Sequence, residues 1–185
     1  MKLTIPTLLT LFRILLIPVL VVVFYLPYSW SNIVAALVFV VGAITDWLDG
    51  WIARRYGMYS AFGAFLDPVA DKLAVAVALV LIVQHHHTVF MALIAAIIIG
   101  REITISALRE WMAEIGQRAK VKVAAVGKLK TIVQMVALSM LLFREDVLGV
   151  PVFMIGEGLL AVAAGLTLWS GIAYLRAAWP AMRQG

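Results

Sequence analysis

No cysteine occurs in this chain, which excludes disulfides and thiolate metal sites. Charge is scarce as well. Asp, Glu, Lys and Arg make up 14% of the 185 residues, against about a quarter in a soluble domain. Water is therefore not the main solvent for this chain. Hydrophobic residues fill the difference, at 64% of the total and a mean hydropathy of +1.04. No internal repeat is visible, unlike the paired halves of many transporters. At about 20 residues per bilayer crossing, the length accommodates roughly six spans in a single domain covering 1–185.

The expected spans are 7–26, 32–55, 61–84, 89–114, 123–143 and 152–176, an all-α polytopic bundle. Pro27 with Tyr28 and Trp30 breaks the first from the second, the aromatics suiting a membrane interface. Pro180 marks the tail. No small-residue cleavage site follows Met1 and Lys2 before the next span, so the first helix is expected to remain.

Lys and Arg placement orients the bundle. Of 15 basic residues, only Arg144 falls in the loops after spans one, three and five. The other 14 lie on the opposite side or on helix halves reaching it. That side, with both termini, is expected to be cytosolic. The pI is near 9.7, but the cations flank apolar spans. They point to anionic lipid or substrate phosphate rather than nucleic acid. Arg118, Lys120 and Lys122 read as a strip facing anionic lipid. Arg13, early in span one, either reaches a site or snorkels.

Ionisable residues inside spans are costly and usually functional. Four aspartates sit near the cytosolic ends of two consecutive helices. Asp46, Asp49, Gly50, Ala53 and Arg54 follow the i, i+3, i+4, i+7, i+8 pattern and share one helical face. Gly63, Asp67 and Asp71 share a face of the next helix. A short loop makes the two helices antiparallel neighbours, so the acidic faces can meet. Gly50, Ala53 and Gly63 allow close approach of a backbone or a ligand. Structural ion pairs at an interface would explain one aspartate, not four on matched faces.

Four carboxylates in a low-dielectric cavity need compensating charge. Oxygen-only ligands favour a hard ion, Mg²⁺ or Mn²⁺. Such a cluster, with room for water and phosphate, suits two-metal phosphoryl chemistry. Arg54 can pair with a substrate phosphate. The histidines at 85–87 diverge by about 100° per residue along a helix and lie on the far side, so they read as an exposed helix end. Glu157, also on the far side, has no evident partner.

The pattern Asp46-x2-Asp49-Gly50-x2-Ala53-Arg54-x8-Gly63-x3-Asp67-x3-Asp71 matches in full the signature of the CDP-alcohol phosphatidyltransferase family. Eight fixed positions at fixed spacing carry this resemblance. The stretches 5–13, 100–112 and 127–131 resemble the bacterial branch whose acceptor is sn-glycerol 3-phosphate. One departure is Thr4, where related chains often have Asn. The resemblance implies a six-transmembrane-helix bundle with a cytosol-facing cavity, in the bacterial cytoplasmic (inner) membrane and as a homodimer. It implies attack of the acceptor hydroxyl on the β-phosphorus of CDP-diacylglycerol, giving phosphatidylglycerophosphate and CMP. It further implies that Asp46, Asp49 and Asp67 hold two Mg²⁺ or Mn²⁺ ions, with Asp71 completing the second site or acting as base. Gly50, Ala53, Arg54 and Gly63 are expected to contact the cytidine diphosphate.

A phosphorylated acceptor needs cations of its own. Arg101, Arg109, Lys128 and Lys130 are the candidates. Arg101 lies about 18 Å along the fourth span at 1.5 Å per residue, where a cation needs a partner or an anionic ligand. Glu102 is the competing partner. Lys128 and Lys130, two residues apart, point to different faces. The aspartate motif does not distinguish acceptors such as serine, inositol phosphate or phosphatidylglycerol; that choice rests on 100–112 and 127–131. A cation transporter would want polar residues in both membrane halves, whereas the acids here are confined to one.

Overall fold

The computed structural model describes residues 4–116 and 125–182, the side chains of 125–128 and 180–182 excepted. Six α-helices follow one another: α1 (Ile5–Phe24), α2 (Ser31–Tyr56), α3 (Ala61–His85), α4 (Val89–Glu114), α5 (Ala125–Phe143) and α6 (Val152–Met182). All six lie close to the expected spans. Lys2, Arg118, Lys120, Lys122 and the expected start of the fifth span at Val123 lie outside the described residues.

Local chemistry sets the ends. Pro6 stands in the first turn of α1, where its missing N–H forfeits no helical bond. The α2 helix stops at Gly57, whose φ of 65° is the left-handed conformation that favours glycine. Ser60 then caps α3 by accepting from the Gly63 N–H at 2.9 Å. Thr88 caps α4 in the same way, accepting from the Met91 N–H at 3.2 Å. The tail departs from expectation, because α6 runs on through Pro180 to Met182. Its last turns are held by packing: Tyr174 and Ala178 are buried with Ile105, Leu108 and Met112 of α4.

The α1 helix packs on α2 and α3, α2 on α5, and α5 on α6; α4 closes against α6 and α3. Leu79, Ile82, Met91, Ile98, Leu138, Leu141 and Leu160 form the dry centre where α3 to α6 meet. At Gly156 a Cβ would come within 3.0 Å of the Met140 Cβ, so the missing side chain lets α5 and α6 close up. Outward-facing positions are apolar too, among them Leu15, Val22, Val80 and Trp169. A surface of that character suits hydrocarbon better than water. Among the described residues, four helices are long and apolar enough to cross a membrane: α1, α2, α4 and Val152–Trp179 of α6.

The end of the bundle remote from the aspartates is tied by mixed contacts. The Arg144 guanidinium lies over the Phe24 ring at 3.8 Å. Glu157, without an evident partner in the sequence, has His86 Nε2 3.8 Å from its Oε1. Those residues are 71 positions apart, so only the fold brings them together.

Candidate active site

The acidic faces of α2 and α3 do meet, and α1 closes over them. Oxygens of Asp46, Asp49 and Asp67 all lie within 4.8 Å of one another. Asp49 is buried at 3% exposure, while Asp46, Asp67 and Asp71 are 42–48% exposed. One residue touches all four. Arg13 Nη1 is 2.9 Å from Asp46 Oδ1 and also donates to Asp71 Oδ1. Its Nη2 is 2.5 Å from Asp49 Oδ2 and 3.7 Å from Asp67 Oδ1. Of the two sequence readings of Arg13, reaching the site is the one that holds.

Arg13 belongs in the site for a reason visible along α1. The buried face of that helix runs Thr7, Thr10, Arg13, Ile17, Leu20 and Phe24. Three polar positions at helical spacing are thus followed by three apolar ones. The polar half faces the aspartates and the apolar half enters the core. The Thr10 hydroxyl bonds the Pro6 carbonyl at 3.0 Å, with Asp49 and Asp67 oxygens at 3.4 and 3.5 Å. Thr4 is linked to Thr7, and Thr7 to Ser60, by hydroxyl contacts of 2.9 and 2.8 Å. A Cβ on Gly63 would lie 2.8 Å from Thr7 Oγ1 and 2.9 Å from Ser60 Oγ. Glycine there lets α1 and α3 come together beside the aspartates.

The donor set fits a hard divalent cation. It is oxygen only, and three carboxylate oxygens converge within a span that an ion bonded at about 2.1 Å to each could bridge after a small closure. Arg13 shows that the arrangement accepts positive charge at its centre. Burial and mutual repulsion oppose ionisation of neighbouring carboxylates; a cation among them favours it.

Among the described residues, two cavities adjoin the cluster. The first, about 240 Å³, is bounded by α1, the end of α2 and the start of α3. Gly50, Ala53, Arg54 and Gly63 all line it, with Asp49 and Asp67 at its inner wall. The four positions expected to contact the nucleotide therefore surround one space. The second, about 310 Å³, runs between α1, α2, α3 and α5. Arg13, Asp46 and Asp71 stand at its polar end, and Leu16, Leu20, Phe39 and Val75 are among its apolar walls. Asp49 and Asp67 thus border the first space, and Arg13, Asp46 and Asp71 the second.

Three of the cations expected to bind an acceptor, Arg101, Arg109 and Lys130, form a separate network on α4, α5 and α6. Arg101 Nη1 is 3.1 Å from Glu102 Oε1, and its Nη2 donates to Ser170 at 3.0 Å. Lys130, 4% exposed, donates to the same Glu102 oxygen at 2.6 Å. Arg109 donates to the Tyr174 hydroxyl at 3.0 Å. Both guanidiniums face the Tyr174 ring, at 5.8 Å for Arg101 and 5.3 Å for Arg109. The competing partner Glu102 is engaged, yet one acid faces two cations. Arg109 also lines a cavity of about 810 Å³ between α3, α4 and α6, together with Lys72 and Ser106. Lys128 has its side chain outside the described residues. Sequence reasoning missed Tyr174, Ser170 and Gly171; a Cβ on Gly171 would lie 3.3 Å from Arg101 Cγ. Their relation to α4 is purely tertiary.

The chain is 57% identical over 178 residues to the CDP-diacylglycerol--glycerol-3-phosphate 3-phosphatidyltransferase of Salmonella choleraesuis (strain SC-B67), covering 96% of each chain. The proteins of the same name from Shigella flexneri and Escherichia coli (strain K12) are equally similar, at 57% over 96% of each chain. Residues 3–169 match the CDP-alcohol phosphatidyltransferase family, and with the eight signature positions gathered around one acidic cluster the chain belongs to that family.

Proposed function

We propose that this protein transfers the phosphatidyl group of CDP-diacylglycerol to sn-glycerol 3-phosphate, giving phosphatidylglycerophosphate and CMP. The observation that carries the reading is the junction of two unlike cavities at the aspartates. A CDP-lipid has a polar nucleotide and two apolar chains joined by a diphosphate. The cavity with Gly50, Ala53, Arg54 and Gly63 suits the nucleotide. The apolar cavity beginning at Asp46 and Asp71 suits the lipid. The diphosphate then falls beside the carboxylates. The relatives' names specify the same donor and acceptor.

Asp46, Asp49 and Asp67 would hold two Mg²⁺ or Mn²⁺ ions, and of the two roles open to Asp71, completing the second site or acting as base, the second is the one proposed. When bound, such ions neutralise the diphosphate and the charge growing on the leaving phosphate. Arg54 pairs with a phosphate of the nucleotide. Asp71, beside the cluster and half exposed, takes the proton of the acceptor hydroxyl. The hydroxyl oxygen forms a bond to the β-phosphorus, and the bond to the α-phosphate oxygen breaks. CMP leaves with that electron pair. Arg101, Arg109, Lys128 and Lys130 attract the acceptor phosphate. Arg101 and Lys130 together outweigh the single negative charge of Glu102.

In this reading all six helices span the bacterial cytoplasmic membrane as one bundle, and the active protein is a homodimer. The active site and both termini face the cytosol, as the one-sided distribution of Lys and Arg supports. The lipid donor enters from the inner leaflet and the acceptor from water.

The test is CMP release by purified protein in detergent with CDP-diacylglycerol and Mg²⁺, offering glycerol 3-phosphate, serine or inositol phosphate in parallel. Turnover with glycerol 3-phosphate alone, lost on chelation, is expected. Turnover with another alcohol overturns the acceptor assignment.

A further inference from the structure

One lysine inside the bundle has no part in the proposed reaction. Lys72 stands eleven residues past Ala61, the first residue of α3, or about 16 Å along the helix at 1.5 Å per residue. An ammonium that deep in a membrane span needs an acid, a cavity or an anionic ligand. Its hydrogen-bond partner is Ser106 of α4, a neutral hydroxyl, and among the described residues it forms no ion pair.

Lys72 joins the acceptor cations in two ways. Its charge acts on Glu102, the carboxylate that Arg101 and Lys130 already share. It also lines the cavity of about 810 Å³ between α3, α4 and α6, onto which Arg109 opens. Arg109, like Lys72, is held by a neutral hydroxyl, that of Tyr174. The network and the cavity wall together hold four cations, Lys72, Arg101, Arg109 and Lys130, against two carboxylates, Glu102 and Glu110. Four less two leaves two positive charges uncompensated. A phosphate monoester, with a charge of about −1.5 to −2 at pH 7, balances them. Lys72 and Arg109 are the two that line the cavity, and neither has to leave a carboxylate to meet a ligand there.

Position along α3 gives the lysine its use. Consecutive residues of a helix diverge by about 100°. Asp67 and Asp71 share one face of α3, and Lys72 lies on the adjoining one, beside Pro68 and Val69 on the wall of the α4 cavity. An acceptor has to bring its hydroxyl to Asp71 and its phosphate to cations. Lys72 is the cation next to that base in the chain, and its long flexible stem lets the ammonium turn from Ser106 to a ligand.

We propose that Lys72 binds the phosphate of glycerol 3-phosphate together with Arg109, in the cavity between α3, α4 and α6, and thereby holds the acceptor hydroxyl towards Asp71. This deepens the proposed function and rests on its choice of acceptor. It makes α3 the element that carries both the base and a ligand of the acceptor phosphate.

The experiment reads this lysine in the intact wild-type protein. Amines are reductively methylated with labelled formaldehyde, in detergent with Mg²⁺, and mass spectrometry follows the rate at Lys72. Saturating glycerol 3-phosphate is expected to slow that rate by roughly tenfold or more, the worth of a charge-assisted bond. Glycerol, which lacks the phosphate, and phosphatidylglycerol in the same micelles should leave it unchanged. Kinetics supply a second reading. Lys72→Met should raise KM for glycerol 3-phosphate by a similar factor, with KM for the CDP-lipid within about twofold, and Lys72→Arg should restore most of the loss. The labelling needs no variant, so it decides the matter even where Lys72→Met fails to fold. Turnover of glycerol 3-phosphate without protection of Lys72, or with KM unchanged in Lys72→Met, overturns the inference and leaves the reaction standing. Protection by phosphatidylglycerol equal to that by glycerol 3-phosphate also overturns it, and would make the cavity a site for lipid headgroups. Turnover with another alcohol alone, and no protection by glycerol 3-phosphate, overturns the choice of acceptor and the inference with it.

Discussion

Arg13 Nη2 lies 2.5 Å from Asp49 Oδ2, and both side chains are 3% exposed. A buried pair of this kind is costly to break, because removing one partner leaves the other charge uncompensated. Arg13 also reaches Asp46 and Asp71 through Nη1. It therefore holds α1 to both acidic helices. Arg13→Met should lower the stability of the chelated protein by about 3 kcal/mol. Mg²⁺ should recover part of that loss, since added positive charge relieves the same carboxylates. Thermal unfolding in detergent, with chelator and with Mg²⁺, reads both effects. An Arg13→Met midpoint equal to that of the wild type in chelator would contradict this role.

The aspartates should separate into two classes. Asp49 is buried and its oxygen converges with those of Asp46 and Asp67, whereas Asp71 is half exposed and lies beside that trio. Asp49→Asn should weaken Mn²⁺ binding markedly. Asp71→Asn should retain most of it but lose roughly 10²–10⁴-fold in kcat, the usual worth of a general base. Mn²⁺ titration followed by paramagnetic resonance, beside CMP-release kinetics, tests the division. Loss of Mn²⁺ binding in Asp71→Asn would remove the base assignment.

Gly63 is a contact between helices as well as a position proposed to touch the nucleotide. A Cβ there meets Thr7 Oγ1 at 2.8 Å and Ser60 Oγ at 2.9 Å. Gly63→Ala should destabilise by about 1–3 kcal/mol, as small-to-large changes in packed places do. Adding Thr7→Ala removes one of the clashing atoms, so the double variant should recover part of the loss. A double-mutant cycle on thermal midpoints measures that coupling. Strict additivity would mean that the clash is relieved elsewhere.

The acceptor cations should show their role in KM. Arg109 opens onto the cavity between α3, α4 and α6 and is held by Tyr174. Arg109→Met is expected to raise KM for glycerol 3-phosphate by roughly tenfold or more, the value of a charge-assisted bond. KM for the CDP-lipid should stay within about twofold, because Arg109 does not line either donor cavity. Equal rises in both values would point to a general disturbance of the bundle.

Much of this was legible before the fold was known, for physical reasons that can be traced. The helices were readable because long apolar runs are punctuated by Pro27, Gly57 and Ser60. The aspartates were readable because helical spacing puts 46, 49 and 50 on one face and 63, 67 and 71 on another, with a loop too short for anything but an antiparallel return. Arg13 stayed ambiguous because a lone cation near a helix start looks the same whether it snorkels or pairs. Only the sequence of Thr7, Thr10 and Arg13 along the buried face of α1 hints at the difference. The partners of Arg101 and Arg109 were not readable at all. Ser170 and Tyr174 are 69 and 65 residues away from them, and nothing in α6 marks those positions. The extension of α6 past Pro180 depends likewise on Ala178 packing against α4.

The most direct test of the proposed reaction uses glycerol 3-phosphate labelled with ¹⁸O at its primary hydroxyl, incubated with CDP-diacylglycerol, Mg²⁺ and the purified protein. Mass spectrometry of both products follows the oxygen. Attack of the acceptor on the β-phosphorus predicts ¹⁸O in the phosphatidylglycerophosphate and none in the CMP. Labelled nucleotide, or a lipid product without the label, would contradict the account.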